Sequence, residues 1–153
     1  MNRRDWLQLT LVGIASSALT RSALGAPRGA KVTVYKSPTC GCCANWVGAM
    51  KRSGFDIDAH NVGDDMLNQL KTTAGVPMAL RSCHTALAGG YAFEGHVPPD
   101  LVKKVLAEKP KALGLAVPGM PAGSPGMEMG DRKDSYDVMA FDRNGTSWVY
   151  AKR

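Results

Sequence analysis

Long apolar runs are lacking from this sequence. Its most apolar stretch, residues 6–20, is interrupted by four polar side chains, Gln8, Thr10, Ser16 and Ser17, so it is too short and too polar for a good membrane-spanning helix. Aromatic residues make up only 7% of the chain, and no arginine-rich stripe accompanies the net charge of +6. A scattered excess of this kind argues against a nucleic-acid partner. No internal repeat is present, and 153 residues suggest a single domain.

The N-terminus has the features of an export signal. Arg3 and Arg4 precede the apolar stretch and resemble a twin-arginine signal, and residues 23–25 (ALG) have the small-x-small shape of a signal-peptidase site. These features predict a signal peptide over 1–25. They also predict a single mature domain over 26–153, located in the periplasm and without membrane contact after cleavage. A retained amphipathic helix is the alternative for the same segment.

Cysteine is also scarce, and its placement is uneven. Three of the four cysteines are crowded together as Cys40, Cys42 and Cys43, and the fourth is Cys83. Disulfides within such a cluster could close only tiny loops, which remove little entropy from the unfolded chain. The mature chain is long enough to bury a core without them. An exported protein can form disulfides, but this cluster predicts chemistry rather than structural cross-linking.

Alternating and helical periodicities predict the order β-α-β-α-β-β-α, which is typical of a layered α/β domain. A strand over 30–37 is followed by a helix that begins near Cys42 and is capped by Gly54. The remaining predicted elements are a strand over 55–62, a helix over 63–75, a hairpin over 84–97 and a helix over 98–110. Met50 and Met66 lie at helical spacing and are predicted core residues.

Glycine and proline dominate the C-terminal part of the chain. Residues 114–130 are so rich in both that no regular element is expected there. The segments 135–141 and 146–152 flank Asn144 and Gly145, which are a strong turn signal. We therefore predict an added β-hairpin, tethered by a methionine-containing loop.

The C-x-x-C spacing of Cys40 and Cys43 follows a predicted strand and begins a predicted helix. The first amides and the dipole of a helix lower the pKa of a thiol at this position, which favours thiolate chemistry. This context resembles the thioredoxin superfamily and fits dithiol exchange, in which one thiolate attacks and the other resolves. Cys42 has no role in such exchange, and a disulfide between neighbours is strained. Three thiolates therefore favour a soft ion, Cu(I), with zinc as the alternative.

Further soft donors occur later in the chain. Cys83 and His84 begin the third predicted strand, and His96 ends the fourth, so the two histidines could approach each other across the hairpin. Taken singly, these residues have simpler explanations: Cys83 as a small buried side chain, and His96 as a residue that precedes a helix. As a set they are candidate ligands, whereas His60 has no companion and is interpreted as structural. The loop methionines, Met120, Met127 and Met129, either bind Cu(I) or pin the loop to the core.

Three segments carry a family resemblance: residues 35–43 (YKSPTCGCC), 82–98 (SCHTALAGGYAFEGHVP) and 114–128 (GLAVPGMPAGSPGME). Together they resemble the CopG-like copper-resistance and metal-binding family of bacterial envelope proteins. The resemblance implies a thioredoxin-like fold, a periplasmic location, copper binding and a role in copper resistance. It places the metal-site positions of the family at Cys40, Cys42, Cys43, Cys83, His84, His96 and Met120.

The sequence leaves three functions open. The first is sequestration or handling of Cu(I), in which thiolates hold the ion, histidine and methionine complete the site, and bridging sulfurs accommodate more than one ion. Copper ions and other copper-handling proteins of the envelope are the partners expected for it. The second is a thiol-disulfide or copper oxidoreductase with Cys40 and Cys43 as its catalytic pair. A structural zinc site in a partner-binding module is a third alternative.

Overall fold

The computed structural model describes residues 29–153, which form seven strands, three α-helices and one short 3₁₀ helix. The predicted signal peptide, residues 1–25, lies outside the described residues. In chain order the elements are β1 (Lys31–Lys36), α1 (Gly41–Arg52), β2 (Asp56–Asn61), α2 (Asp64–Thr73), a 3₁₀ helix (Met78–Leu80), β3 (His84–Ala88), β4 (Tyr91–Glu94), α3 (Pro99–Glu108), β5 (Gly114–Ala116), β6 (Asp137–Phe141) and β7 (Ser147–Lys152). The predicted β-α-β-α-β-β-α order and the C-terminal hairpin are confirmed.

All the strands join one sheet in the order β2-β1-β3-β4-β5-β6-β7. The pairs β1–β2 and β4–β5 are parallel, and the other neighbours are antiparallel. The sheet therefore brings the start of β3 and the end of β4 together beside the end of β1, from which the chain enters α1. This end of the sheet collects the predicted ligands.

One expectation is wrong: residues 114–116 are not irregular but form β5. Its residues are buried, and they pair with β4 on one side and β6 on the other. Gly114 packs so closely on the Ala92 carbonyl that a Cβ would have no room. A strand this short has no periodicity to detect, and its stability comes from its two neighbours. The predicted hairpin is therefore continuous with the sheet instead of being tethered by a loop alone.

The register divides the sheet into two buried faces. Val34, Ala86, Phe93, Leu115 and Ala140 occupy successive strands in one row, and with Trp46 and Met50 of α1 and Val102 and Val105 of α3 they form the larger core cluster. The neighbouring rows face the other way, toward α2 and the segment after it, where Val76, Leu80, Ala92, Ala116 and Phe141 form a smaller cluster.

Helix α2 departs from its predicted core pattern. Leu67 is buried as its periodicity requires, but Met66 is 52% exposed, so the expectation that Met66 is a core residue is wrong. The other buried residue of this helix is a lysine, Lys71. Within residues 29–153, no helix has the combination of length and hydropathy that crossing a bilayer requires.

Candidate metal centre

The cysteine cluster lies at the N-terminus of α1. Cys40 is the N-cap residue, and its Sγ accepts a hydrogen bond from the Cys43 amide at 3.3 Å. Cys40 and Cys43 form a disulfide, whereas Cys42 and Cys83 are free thiols. The Cys42 Sγ lies 3.4 Å from the Cys40 Sγ. The third thiol of the motif is thus held beside the disulfide rather than turned away from it.

Cys83, which immediately precedes β3, brings the fourth sulfur to this cluster. The sulfur atoms of Cys40, Cys42, Cys43 and Cys83 all lie within 4.8 Å of one another. The Cys43 Sγ also contacts the Cys83 carbonyl oxygen at 3.7 Å. Residues far apart in sequence therefore form one group of soft donors, as the sequence predicted.

Cys83 also belongs to a second group of donors, which it forms with His84 and His96. Its Sγ lies 3.2 Å from the His84 Nδ1 and 3.2 Å from the His96 Nε2. The two imidazole rings are 5.2 Å apart between centroids, and both are fully buried. Trp46 of α1 packs on His84 with a centroid separation of 4.5 Å and donates its indole hydrogen to the Val97 carbonyl.

The tautomer of His96 follows from its other contact. The His96 Nδ1 lies 2.8 Å from the Pro125 carbonyl oxygen, which can only accept, so Nδ1 carries the hydrogen. In the neutral ring the lone pair is then on Nε2, which faces Cys83. A backbone carbonyl that orients a histidine in this way is a common outer partner of metal ligands. The Nε2 of His84, by contrast, is buried without a hydrogen-bond partner in the described part of the chain.

Burial keeps all three members of this second group uncharged. It raises the pKa of the Cys83 thiol to about 12, with a further contribution from the neighbouring Cys42. Burial likewise lowers the pKa of His96 and holds that of His84 well below its usual value. The imidazoles are therefore in the neutral form that binds metal ions. Cys83, in contrast, must lose its proton when an ion binds. The positive charge of the ion favours this loss, because it stabilises the thiolate.

The loop between β5 and β6 covers one side of the cysteine cluster. Met120 contacts Cys42, with 3.9 Å between the two sulfur atoms, and is 53% exposed at the mouth of the site. Met129 is exposed in a turn that it forms with Arg132, and the Met127 amide bonds to the Ser124 carbonyl within the loop itself. Of the three loop methionines, Met120 is the one for which the structure gives a contact with a cysteine sulfur.

Three contacts hold this loop in place. The Ser82 hydroxyl donates to the Gly119 carbonyl at 2.8 Å, and the Pro125 carbonyl accepts from His96. Gly126 lies directly against α1, where an added Cβ would come within 2.6 Å of the Trp46 amide nitrogen. The position of Met120 is therefore set by the same residues that surround the site. His60 lies away from it on β2, where it stacks on Tyr35 and pairs with Asp58.

A buried polar group that was not predicted from the sequence lies on the opposite face of the sheet. It contains Lys71, Thr85 and Glu94, and all three side chains are almost completely inaccessible. The Glu94 carboxylate accepts from the Lys71 ammonium, the Thr85 hydroxyl and the Ser82 amide. Burial raises the pKa of Glu94, although each of these donors acts in the opposite direction. The sequence feature that could have indicated this group is Glu94 itself, a charged residue that directly follows the apolar residues 91–93 of a predicted strand.

Comparisons with known proteins identify one family model and two solved structures that resemble this chain. A family described as "Protein of unknown function, DUF411" matches residues 80–127, which include Cys83, His84, His96 and Met120. The chain is also similar to two solved structures described as copper resistance protein CopG, forms 1 and 2. Sequence identity is 40% to form 1 and 39% to form 2, with TM-scores of 0.76 and 0.75, and each match covers 82% of this chain and 98% of the other. No curated protein matches the chain at a significant level.

Proposed function

We propose that this chain, which belongs to the CopG family of copper resistance proteins, sequesters Cu(I) at the cysteine cluster and so contributes to copper resistance. The observation that carries the proposal is the meeting of four cysteine sulfurs, two buried imidazoles and one thioether at one end of the sheet. Cysteine, histidine and methionine are the side chains that bind Cu(I) best. Copper is here the cargo of the protein.

The contact between Met120 and Cys42 favours copper over zinc. Zinc is also bound by thiolate and imidazole, usually with four ligands, so the cysteines and histidines by themselves suit either ion. A thioether is an uncharged soft donor that selects Cu(I). Its placement at the mouth of the cluster, 3.9 Å from the Cys42 sulfur, supports copper as the ion.

The two donor groups overlap at Cys83, which supports binding of more than one ion. A thiolate that is close to both the other sulfurs and the two imidazoles can bridge an ion in each group. The Cys40–Cys43 disulfide must be reduced before these two sulfurs can bind as thiolates. The reduced protein is therefore the form proposed to hold copper.

The same disulfide favours a second function, that of a thiol-disulfide or copper oxidoreductase. Cys40 and Cys43 as dithiol would give up two electrons and two protons when they form the disulfide, and two Cu(II) ions would accept the electrons and become Cu(I). The catalytic residues would be Cys40 and Cys43. Cys42, Cys83 and Met120 would then receive the Cu(I) that is formed.

The proposed location is the periplasm. The predicted signal peptide over 1–25 supports export, and bacterial envelopes permit disulfides. Other copper-handling proteins of the envelope are the proposed partners, since a Cu(I) ion can pass between proteins by exchange of thioether and thiolate ligands. The exposed Met120 is the ligand that a partner would reach first.

The test is an anaerobic titration of the fully reduced protein with Cu(I) and with Zn(II), in competition with chromophoric chelators of known affinity. We expect Cu(I) to bind more tightly than Zn(II), and Cys42→Ser to weaken Cu(I) binding by at least tenfold. The control is Thr39→Ala, which removes an exposed side chain from the same turn. Equal binding of the two ions, or copper binding that is indifferent to Cys42, would contradict the proposal.

A second measurement separates sequestration from oxidoreductase activity. The reduced protein is mixed with Cu(II) without other oxidants, and the Cu(I) formed is compared with the free thiols lost. An oxidoreductase gives one Cu(I) for each thiol lost from Cys40 and Cys43, and Cys40→Ser abolishes this reaction while Cys42→Ser retains it. A protein that only sequesters Cu(I) shows no such dependence on Cys40.

A further inference from the structure

We propose that the buried pair of Lys71 and Glu94 positions the metal ligands: Glu94 holds the backbone just before Cys83, and Ser82 carries this restraint on to the loop that bears Met120. The proposal rests on the proposed copper-binding function. It assigns a role to a group on the face of the sheet opposite the histidines, where neither Lys71 nor Glu94 is a candidate ligand.

The contacts of Glu94 fix the chain at the start of β3. Its Oε1 accepts from the Ser82 amide at 2.6 Å and from the Lys71 ammonium, and its Oε2 accepts from the Thr85 hydroxyl at 2.6 Å. The Lys71 ammonium also donates to the Thr85 hydroxyl at 3.1 Å. The carboxylate is thus held from two sides and can occupy only one orientation. The amide that donates to this carboxylate belongs to Ser82, the residue next to Cys83.

Ser82 joins this restraint to the methionine loop. Its amide points to Glu94, while its hydroxyl donates to the Gly119 carbonyl at 2.8 Å, next to Met120. Gly95 allows this close approach, since a Cβ there would come within 2.7 Å of the Ser82 side chain. One residue therefore relates the position of Cys83 to that of Met120, on either side of the cysteine cluster.

Stability alone is a poor explanation for this pair. Lys71 is 3% exposed and Glu94 is fully buried, and the cost of removing two charges from water is often as large as their mutual attraction. Apolar residues of similar size commonly serve as well for stability. What they cannot supply is an acceptor for the Ser82 amide. Orientation of ligands by such outer hydrogen bonds typically changes metal affinity by about 10–100-fold.

Two double variants separate the acceptor from the charges. Lys71→Leu/Glu94→Leu removes both charges and the acceptor, whereas Lys71→Leu/Glu94→Gln removes both charges but keeps an amide oxygen for the Ser82 amide. The control is Tyr91→Phe, which deletes a different side-chain hydrogen bond of β4, to the Pro110 carbonyl at the far end of the strand. Leucine is chosen because a methionine would add a new sulfur near the site.

Two measurements are made on each protein. The first is Cu(I) affinity of the reduced protein by chelator competition, and the second is hydrogen exchange of the Ser82 amide in the metal-free protein. The variant Lys71→Leu/Glu94→Leu is called Leu/Leu below, and Lys71→Leu/Glu94→Gln is called Leu/Gln. We expect the Leu/Leu variant to bind Cu(I) at least tenfold more weakly than the wild type and to exchange its Ser82 amide hydrogen at least tenfold faster. The Leu/Gln variant restores both quantities, and a Tyr91→Phe protein resembles the wild type in both.

Two single variants and their combination test the connection to the loop even where the Lys71→Leu/Glu94→Leu protein does not fold. Ser82→Ala removes only the hydroxyl, and Met120→Leu removes only the thioether. If Ser82 acts through Met120, both single variants weaken Cu(I) binding to a similar degree, and the double variant is no weaker than either. Additive losses in the double variant would overturn the connection.

The outcomes distinguish this proposal from the proposed function. Equal Cu(I) affinity in the Leu/Leu, Leu/Gln and wild-type proteins overturns the positioning role and leaves copper binding standing. Equal weakening in both double variants shows that the charges act and not the acceptor, which also overturns it. If the wild-type protein binds no copper, the proposed function fails, and Ser82 exchange still decides whether Glu94 restrains the chain before Cys83.

Discussion

Cys83 is the residue at which the two groups of donors meet. Its sulfur lies within hydrogen-bond distance of both imidazoles and within 4.8 Å of the other three cysteine sulfurs. Because burial raises the pKa of its thiol to about 12, it is protonated at neutral pH until a cation approaches. Occupation of the site therefore releases a proton at Cys83, in addition to the protons that the other cysteine thiols lose when they bind the ion.

The buried histidines predict that the metal-free protein loses stability in mild acid. The folded-state pKa of His84 lies well below the ordinary value of 6.5, so below pH 6.5 the unfolded chain binds a proton that the folded chain excludes. The free energy of unfolding should then fall by up to about 1.4 kcal/mol per pH unit for this one group. Urea unfolding between pH 8 and pH 5, followed by circular dichroism, measures the slope.

A variant tests the origin of this slope. His84→Gln removes the buried imidazole and should reduce the slope below pH 6.5, because one titrating group is lost. The same slope in this variant and in the wild-type protein would assign the acid sensitivity to other groups.

The side chains that approach one another could be predicted from the sequence as a set, because few soft donors are present and they cluster near element ends. Cys83, His84 and His96 lie where the hairpin pattern places them. The Pro125 carbonyl that orients His96 could not be predicted, because any residue supplies a carbonyl. The role of Glu94 was equally hidden, since its partners Lys71 and Ser82 are distant in sequence and lie on other elements.

At the scale of single elements, the contact of Gly126 with α1 determines where the methionine loop lies. Gly126 has a φ of +88°, and its Cα packs against the backbone of Cys42 and Trp46. An alanine there meets both a strained backbone conformation and a backbone that cannot move aside. Strain of this kind costs about 1–3 kcal/mol, and relieving it displaces the loop from the helix.

We expect Gly126→Ala to lower both stability and copper affinity. The measured quantities are the free energy of unfolding and the Cu(I) affinity, which should fall toward that of Met120→Leu. The control is Gly130→Ala, because Gly130 also has a positive φ, +59°, but has no atom within 4 Å of the added Cβ. Unchanged Cu(I) affinity in Gly126→Ala would show that Met120 does not depend on this contact.

Helices of several turns and strands with alternating apolar and polar residues could be predicted from the sequence. An element that is ordered only because neighbouring strands pair with it could not. Helix α3 buries Leu101, Val102 and Val105, as its spacing predicts. Strand β5 has only three residues within a glycine- and proline-rich segment, and it is ordered because β4 and β6 pair with it. The exposure of Met66 shows the same limit, since a helical period does not say how much of the helix face the sheet covers.

At the scale of the whole molecule, β5 makes the C-terminal hairpin part of the main core. Val138 and Ala140 belong to the larger core cluster, and Phe141 belongs to the smaller one, all fully buried. Arg153 then connects the end of β7 to α3 through Asp100 at 2.6 Å. The hairpin thus contributes side chains to the core clusters on both faces of the sheet.

Truncation after Asp134 should therefore prevent stable folding. It removes three fully buried apolar side chains, Val138, Ala140 and Phe141, of which the larger ones contribute about 1.5–3 kcal/mol each, and it leaves β5 unpaired on one side. Circular dichroism and size-exclusion chromatography should show an unfolded or aggregated chain. The control is Val149→Thr on the exposed outer strand, which should fold normally. A truncated protein with cooperative unfolding would mean that the hairpin is an independent addition.

The packing of Trp46 on His84 gives the protein an internal optical probe. The indole ring lies in the core, belongs to the same helix as the cysteine motif, and is in contact with a candidate ligand. Trp148 is partly exposed and should emit at longer wavelength. Copper ions and disulfides both quench indole emission at short range, so the blue-shifted fluorescence of Trp46 should follow loading and oxidation of the site without any added label.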